Sequence, residues 1–474
     1  MAVTTGRGVA SHSNRTLSDV TLKRTSKSER VAAGEALGQP FRRRERSANQ
    51  SVRTALPLPV AIFLIGLITP WIIPLGSLNL SVYRIVLLIM LLPCLVMWLR
   101  GKAGPIRLAD IGVILFSFWA SIGLAIVHGL EPMVEAIGIN NVETVGAYML
   151  ARCYIRTERD FYSMVQLACK LVLILLPFSV YEWITGGKPL LTIFAWVFPT
   201  PEITMMTPRW GLWRVQGPFG HSIVYGLFCG SLVALAYSVL GYGKRALARW
   251  KQPAVISLAT FVSMSSAPIA GMVLQFMLIS WNSLFRRFEW RWKIVWAIAL
   301  IAYLVVEFGS NQTPVKLYIS YFTFDPQTGW YRLLIWEYGS AAVANHPWFG
   351  IGFGEWARQS WMGDSVDNFW LEIAMRHGIP AVIFIFGACM AVILRTAFKQ
   401  GLDDKVDAYR TAYVICMAVS LLVGSTVHFW GALYAWFMFM LGSGLWILDV
   451  KIEGQSLRAT RPCPRKDKEC MKEM

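Results

Sequence analysis

The chain has 474 residues, 55% of them hydrophobic and only 15% charged, with a mean hydropathy of +0.48. This is too apolar for a soluble protein and predicts a polytopic membrane protein, one large transmembrane domain with tails rather than several soluble domains. The formal net charge of +17 admits a nucleic-acid binder until the charge is located, and eight scattered cysteines without a Cys-x-x-Cys pair indicate neither a zinc site nor a disulfide framework.

Residues 1 to about 55 are polar, with eleven Lys or Arg against four acids and the run Arg42-Arg43-Arg44-Glu45-Arg46 just before the first apolar stretch. Such a segment cannot bury enough apolar surface to fold alone, so a basic, disordered cytoplasmic tail is expected. Its basic end suits anionic lipid headgroups. Four acids and the lack of an amphipathic face argue against a transit peptide. A late first apolar stretch with no small-x-small site argues against a cleaved signal. A second basic cytoplasmic tail is expected over 451–474.

Between the tails, over 56–450, apolar runs of about 20 residues recur. Expected spans are 58–76, 81–99, 110–128, 133–151, 161–185, 221–241, 294–309, 379–397, 409–428 and 431–449. Residues 253–284 lie between two strongly basic connections, so both ends should be cytoplasmic and an even number of crossings must fit. At 1.5 Å per residue this allows two helices of roughly 24 Å. A short or re-entrant pair is predicted, turning at Ser265-Ser266-Ala267-Pro268; such a turn is tolerated only where protein buries it or it lines a wet cavity.

The count is then about twelve, with both termini cytoplasmic and two long periplasmic loops at about 186–220 and 310–378. Lys188, Arg209, Arg214, Lys316, Arg332, Arg358 and Arg376 are the only basic residues assigned to the outer side, and Arg84 lies just inside a span. The excess charge is therefore the positive-inside signature, and nucleic acid is not needed to explain it.

The polar groups that carry chemistry gather in those two loops. The first offers Arg209 and Arg214 beside Trp210 and Trp213, then Gln216-Gly217-Pro218-Phe219-Gly220-His221-Ser222. The second offers Arg332, expected to open an amphipathic helix. Guanidinium forks match phosphate oxygens bidentately, so three of them beside aromatic residues suit a diphosphate headgroup emerging from the bilayer. Pairing with loop carboxylates or snorkelling to lipid headgroups is the competing reading. Gly350-Ile351-Gly352-Phe353-Gly354 does not follow an apolar strand and is not a dinucleotide fingerprint; it either presents amides to a phosphate or sugar, or simply makes a tight turn. Asp367-Asn368 precedes an aromatic cluster, which suits a base with a raised pKa or a helix N-cap. His221, His346, His377 and His428 show no metal-ligand spacing, and no Asp-x-Asp motif occurs.

Taken together, the pattern Arg332-x-x-x-Trp336, the run Asn345-His346-Pro347-Trp348-Phe349-Gly350-Ile351-Gly352-Phe353-Gly354-Glu355-Trp356, then Asp367-Asn368 and Gly378-Ile379-Pro380 resembles the O-antigen polymerase and O-antigen ligase superfamily. Arg214, Gly217, Pro218, Phe219 and His221 match its first-loop pattern. In residues the resemblance covers about 208–225 and 329–381; in topology it covers the bundle. It implies an all-α, GT-C-like membrane glycosyltransferase bundle that uses no metal or other cofactor and works at the periplasmic face of the bacterial inner membrane. Its substrate would be an undecaprenyl-diphosphate-linked oligosaccharide.

Carried over residue by residue, Arg214 and Arg332 hold the diphosphate and Asp367 stands where the family's ligases place a candidate histidine base. Arg209, His221, Asn368, Trp336, Gly352, Gly354 and His377 are the expected substrate contacts, with Trp213, Trp348, Trp356 and Trp361 either stacking on sugars or forming an interfacial belt. The short helix pair lacks the Ser-Arg often seen in the family and has Ser265-Ser266-Ala267 instead.

Replacement of the motif histidine by Asp367 favours a polysaccharide polymerase, for O-antigen or exopolysaccharide, over an O-antigen ligase acting on another acceptor. A flippase or other transporter and an envelope scaffold are the readings from other classes. Charged groups deep in spans would favour transport, and Arg84 and Glu182 are the visible ones. Expected partners are membrane lipids, with a chain-length-regulating co-polymerase and a flippase as further candidates.

Overall fold

The computed structural model describes residues 56–450 except 77, 312, 314, 315 and 318–325; the two expected tails lie outside the described residues. Hydrocarbon offers the backbone no hydrogen-bond partner, so long apolar runs are forced into helices. The described chain is accordingly almost all helical, with one two-stranded hairpin.

In order, α1 (Leu58–Ile68) is followed by β1 (Ile72–Leu75) and β2 (Leu78–Ser81), paired antiparallel with Ile72 opposite Ser81. The expected span 58–76 is therefore shortened. Pro70 lacks an amide and holds Thr69 extended (φ −88°, ψ 111°), which ends the helix. Then come α2 (Val82–Leu99) and α3 (Leu108–His128). The expected span 133–151 is a continuous helical stretch of α4 (Leu130–Asn141), a π segment (Val142–Gly146) and α5 (Ala147–Tyr154).

After α6 (Glu158–Thr185), the first long connection carries the short α7 (Pro189–Phe194). Next are α8 (Ser222–Leu240), the helix pair α9 (Ala246–Phe261) and α10 (Ser266–Leu284), and α11 (Arg291–Gly309). The second connection contains α12 (Pro326–Asn345), and α13 (Phe369–Ala397), α14 (Asp404–Gly424) and α15 (Ala432–Asp449) finish the bundle.

Among the described residues nine helices are long and apolar enough to cross a membrane, which makes this a multi-pass membrane protein. The other three of the twelve expected spans are α1 with 11 residues, the α4–π–α5 stretch with its glutamates, and α9 with 16 residues.

Helix ends follow local chemistry. At α6, Thr157 Oγ1 accepts the Asp160 amide (3.1 Å) and the Asp160 carboxylate accepts the Thr157 amide (3.0 Å), a capping box. Asn368 Oδ1 accepts the Leu371 amide (3.0 Å) and starts α13. Lipid supplies little drive for helix association, so small residues let backbones close up. A Cβ on Gly112 of α3 would lie 2.9 Å from Ala388 Cβ and 3.0 Å from the Phe384 carbonyl of α13. One on Gly226 of α8 would lie 2.8 Å from Pro268 Cβ, so α8 sits hard against the start of α10.

The Gly378-Ile379-Pro380 motif has a backbone purpose. Gly378 breaks α13 at φ 82° and ψ 173°, and a Cβ there would collide with the carbonyls of Pro347 and Trp348. The Ile379 amide donates to Pro347 O at 2.8 Å, which docks the second connection onto the break. Gly378→Ala is expected to destabilise the protein by about 1–3 kcal/mol or more, since both the conformation and the space exclude a side chain. A thermal unfolding midpoint in detergent that stays at the wild-type value would contradict this.

Candidate functional site

The expected site residues lie at one end of the bundle, where the long connections meet the ends of α3, α6, α8, α10, α13 and α15. They form two groups and one cavity.

The first group is built on the turn between α9 and α10. Met264 takes a left-handed conformation (φ 47°), and Ser263 Oγ donates to Thr260 O (2.7 Å) while Ser265 Oγ donates to Ser263 O (3.0 Å). The first connection is stitched over this turn. The Val215 amide donates to Val262 O (3.2 Å), Arg209 Nη1 to Met264 O (2.7 Å) and Arg214 Nη2 to Ser265 Oγ (3.1 Å). Ser222 Oγ, at the start of α8, lies 3.1 Å from Ser265 Oγ. The turn expected at 265–268 therefore runs over 262–265, with Ser265 as the residue before α10.

Among the described residues no carboxylate lies within ion-pair distance of Arg209 or Arg214, and Arg214 Nε is buried without a hydrogen-bond partner. Burial, and then the neighbouring Arg209 charge, lower the Arg214 pKa to about 10, which leaves it cationic at neutral pH. Two like charges without a counter-ion among the described residues, beside serine hydroxyls, are an arrangement in which an anion is electrostatically favoured.

His221 borders this group. Its Nδ1 accepts the Ile223 amide at 3.1 Å, so the neutral ring carries its hydrogen on Nε2 and offers a donor. Desolvation, then Arg214, lower its pKa to about 4, which keeps it neutral. The Gln216-Gly217 amides are not free: both donate to buried Glu182, at 2.7 and 3.1 Å, and Lys188 Nζ closes on the same carboxylate at 2.6 Å. Glu182 thus anchors the first connection. The other charge seen inside a span, Arg84, pairs with Glu143 at 2.8 Å, and Tyr83 donates to that carboxylate at 2.7 Å.

The second group is the Arg332–Asp367 pair, with Nε and Oδ2 3.8 Å apart. Arg332 does not open its helix; it lies in the middle of α12, with its side chain only 5% exposed. That helix packs on the start of α13 through Ile335, Trp356, Met362, Leu371 and Met375. Desolvation raises the Asp367 pKa and Arg332 pulls it down, with a net rise, while over a third of the side chain stays open to water. Among the described contacts none joins this pair to Arg209 and Arg214.

Trp336, one turn along from Arg332, packs with that small core and lines a separate groove with Trp370 and Ile379. The glycine run is a turn. The amides of Ile351 and Gly352 donate to Met375 O and Arg376 O, those of Phe353 and Gly354 to His128 Nε2 and Ile351 O. Gly352 and Gly354 therefore have no amide left for a ligand. Of the loop tryptophans, Trp361 stacks on Trp330 (5.7 Å, 5°) and Trp356 is buried beside Arg358.

A cavity of about 310 Å³ lies against the first half of α13 and the 425–431 turn. His377 and His428, dispersed in sequence, both line it. Trp430 joins it to the first group, with ring centroids 6.0 Å from His428 (stacked, 9°) and 5.9 Å from His221. Sequence reasoning had no means of collecting these residues; the only signal for His428 was its place at a span end.

The fold and this end of the bundle define a many-pass helical membrane protein in which Arg209 and Arg214, without a carboxylate partner among the described residues, contact a turn between helices. The O-antigen ligase family model matches residues 253–386, from α9 into α13, consistent with the O-antigen polymerase and ligase superfamily. The match takes in the Ser263–Ser266 turn, Arg332 and Asp367, but not Arg209, Arg214 or His428. It supports a membrane function of the O-antigen ligase or polymerase type. No curated protein matches the chain.

Proposed function

We propose that the protein is a periplasmic-face glycosyltransferase of the bacterial inner membrane, with both termini cytoplasmic, that polymerises undecaprenyl-diphosphate-linked repeat units into a polysaccharide. The observation that supports this reading is the Arg209–Arg214 pair, two cations over the Ser263–Ser266 turn without a counter-ion among the described residues. A diphosphate supplies the missing negative charge. A hydroxyl of one lipid-linked repeat attacks the anomeric carbon of the growing chain, and the bond from that carbon to the diphosphate breaks. Arg214, Arg209 and the His221 Nε2 donor neutralise the charge that develops on the leaving diphosphate. Asp367 takes the hydroxyl proton, with Arg332 orienting its carboxylate. Chain-length regulators and a flippase would be the natural partners of such an enzyme.

A proton acceptor must be ionised, so activity is expected to rise with pH along a limb above the ordinary carboxylate range of about 4, in the direction of the Asp367 shift. The test uses purified protein, lipid-linked repeat units and no added metal. Wild type is expected to build a ladder of longer lipid-linked glycans. Asp367→Asn should slow it about 10²–10⁴-fold and remove the pH limb. A ladder with unchanged rate and pH profile would remove Asp367 as base.

The ligase reading is supported by the description of the matched family model. It is distinguished by the product: transfer of finished glycan to a different acceptor, with no lengthening of the lipid-linked chain. Transport loses support from the pairing of Arg84 with Glu143 and of Glu182 with Lys188. Substrate movement across vesicles without a ladder would restore it.

A further inference from the structure

Three residues that line the 310 Å³ cavity each carry a polar atom buried without a hydrogen-bond partner among the described residues: Asn140 Nδ2, His377 Nδ1 and His428 Nδ1. The His377 residue is only 7% exposed, so bulk water does not account for its ring nitrogen. Buried polar groups left unpaired are costly, and three residues with such groups around one cavity point to a polar occupant.

The rest of the lining says what kind. Glu372 and Arg376 form an ion pair along one wall, and Arg376 lies 4.7 Å from the Phe353 ring centroid. Glu143, also in the lining, is already satisfied by Arg84 and Tyr83. The wall charges therefore largely cancel, which suits a neutral occupant and not a second phosphate. Phe353 and Trp430 are 50% and 38% exposed and offer ring faces. Neutral donors and acceptors between aromatic faces match a hydroxyl-rich sugar, whose C–H face packs on rings while its hydroxyls take hydrogen bonds in both directions. Desolvation holds His428 neutral, with a pKa near 3.

We propose that this cavity is the glycan subsite, holding the saccharide of the lipid-linked repeat through Asn140, His377, His428 and the ring of Trp430. The inference rests on the diphosphate reading of Arg209 and Arg214, because it is the single ring of Trp430, in contact range of both His221 and His428, that sets the cavity beside those arginines. It assigns sugar recognition to residues in α4, α13 and the 425–431 turn, apart from the anion site.

The test measures equilibrium binding of two radiolabelled probes to detergent-solubilised full-length protein: undecaprenyl diphosphate without sugar, and the same lipid bearing a repeat unit. Wild type is expected to bind the sugar-bearing lipid more tightly. Asn140→Ala and His428→Ala should each weaken that lipid by at least about tenfold and leave the bare lipid unchanged. Phe353→Ala, at a half-exposed ring in the cavity lining, serves as a further variant should a buried change unfold the protein. Equal weakening of both lipids would place the prenyl chain or the headgroup in the cavity and overturn the proposal. So would equal wild-type affinities, or variants that leave both affinities unchanged. Failure of the diphosphate reading shows separately, as bare-lipid binding that survives Arg214→Ala.

Discussion

Arg214→Ala is expected to lower turnover by about 10²–10³-fold while leaving the protein as stable as wild type or more so. The two halves of this expectation share one cause. Arg214 is held beside Arg209 with no carboxylate within ion-pair distance among the described residues, and its Nε is buried without a partner. In the empty protein that is an unfavourable arrangement, so removing the charge relieves repulsion and desolvation. In the reacting complex the same charge meets the departing diphosphate. Arg214→Lys should recover only part of the rate, because a single ammonium cannot reproduce the planar fork. The measurement pairs ladder formation with thermal unfolding in detergent. A residue that merely holds the α9–α10 turn together would show the reverse: lowered stability, with activity lost in proportion to unfolded protein.

The second large effect lies at the opposite end of the bundle. Arg152 of α5 and Asp110 of α3 are both fully buried, with Nε and Oδ1 3.4 Å apart. Asp110 also accepts from Tyr148 Oη (2.6 Å), Trp98 Nε1 (3.1 Å) and the Arg107 amide (2.9 Å). Arg152 donates to the carbonyls of Ala103 and Pro105 and lies 3.8 Å from Asp449 of α15, which Arg107 also binds at 2.5 Å. One side chain thus ties α3, α5 and α15 to the 100–107 connection. Arg152→Ala leaves Asp110 charged and buried and should cost about 3–5 kcal/mol. Arg152→Met with Asp110→Asn should cost less than Arg152→Ala alone, since no unpaired charge remains. Unfolding midpoints of the three proteins check this; a double variant no more stable than Arg152→Ala would contradict it.

Both expectations show how charge is used in this molecule. At one end carboxylates and guanidinium groups neutralise each other and hold helices in place. At the other, Glu182 and Lys188 anchor a loop and Arg358 is closed off by Glu355 and Asp364, while among the described residues Arg209 and Arg214 have no carboxylate partner. The distinction between structural and available charge cannot be drawn from residue type.

Much of the fold was legible because a bilayer restricts the choices. Runs such as 81–99, 110–128 and 161–185 reappear as α2, α3 and α6 within a few residues, since long apolar stretches in hydrocarbon have no alternative to a helix. The helix pair at 253–284 followed from basic flanks and length. The hairpin at 72–81, the π segment at 142–146 and the break at Gly378 were not legible, because each depends on what packs against it.

The many-pass helical membrane character was legible in the residues alone, as was the presence of arginines in two long connections. Hydropathy, charge and side-chain geometry act residue by residue, so they can be read in order. Which polar groups are already spent became visible in the folded arrangement. It gave the Gly217 amide to Glu182 and the glycine-run amides to carbonyls and His128, and it paired Arg332 with Asp367. It also brought Asn140, His377 and His428 from three elements to one cavity. Availability of a polar group depends on neighbours distant in the chain, and packing alone brings those neighbours into place.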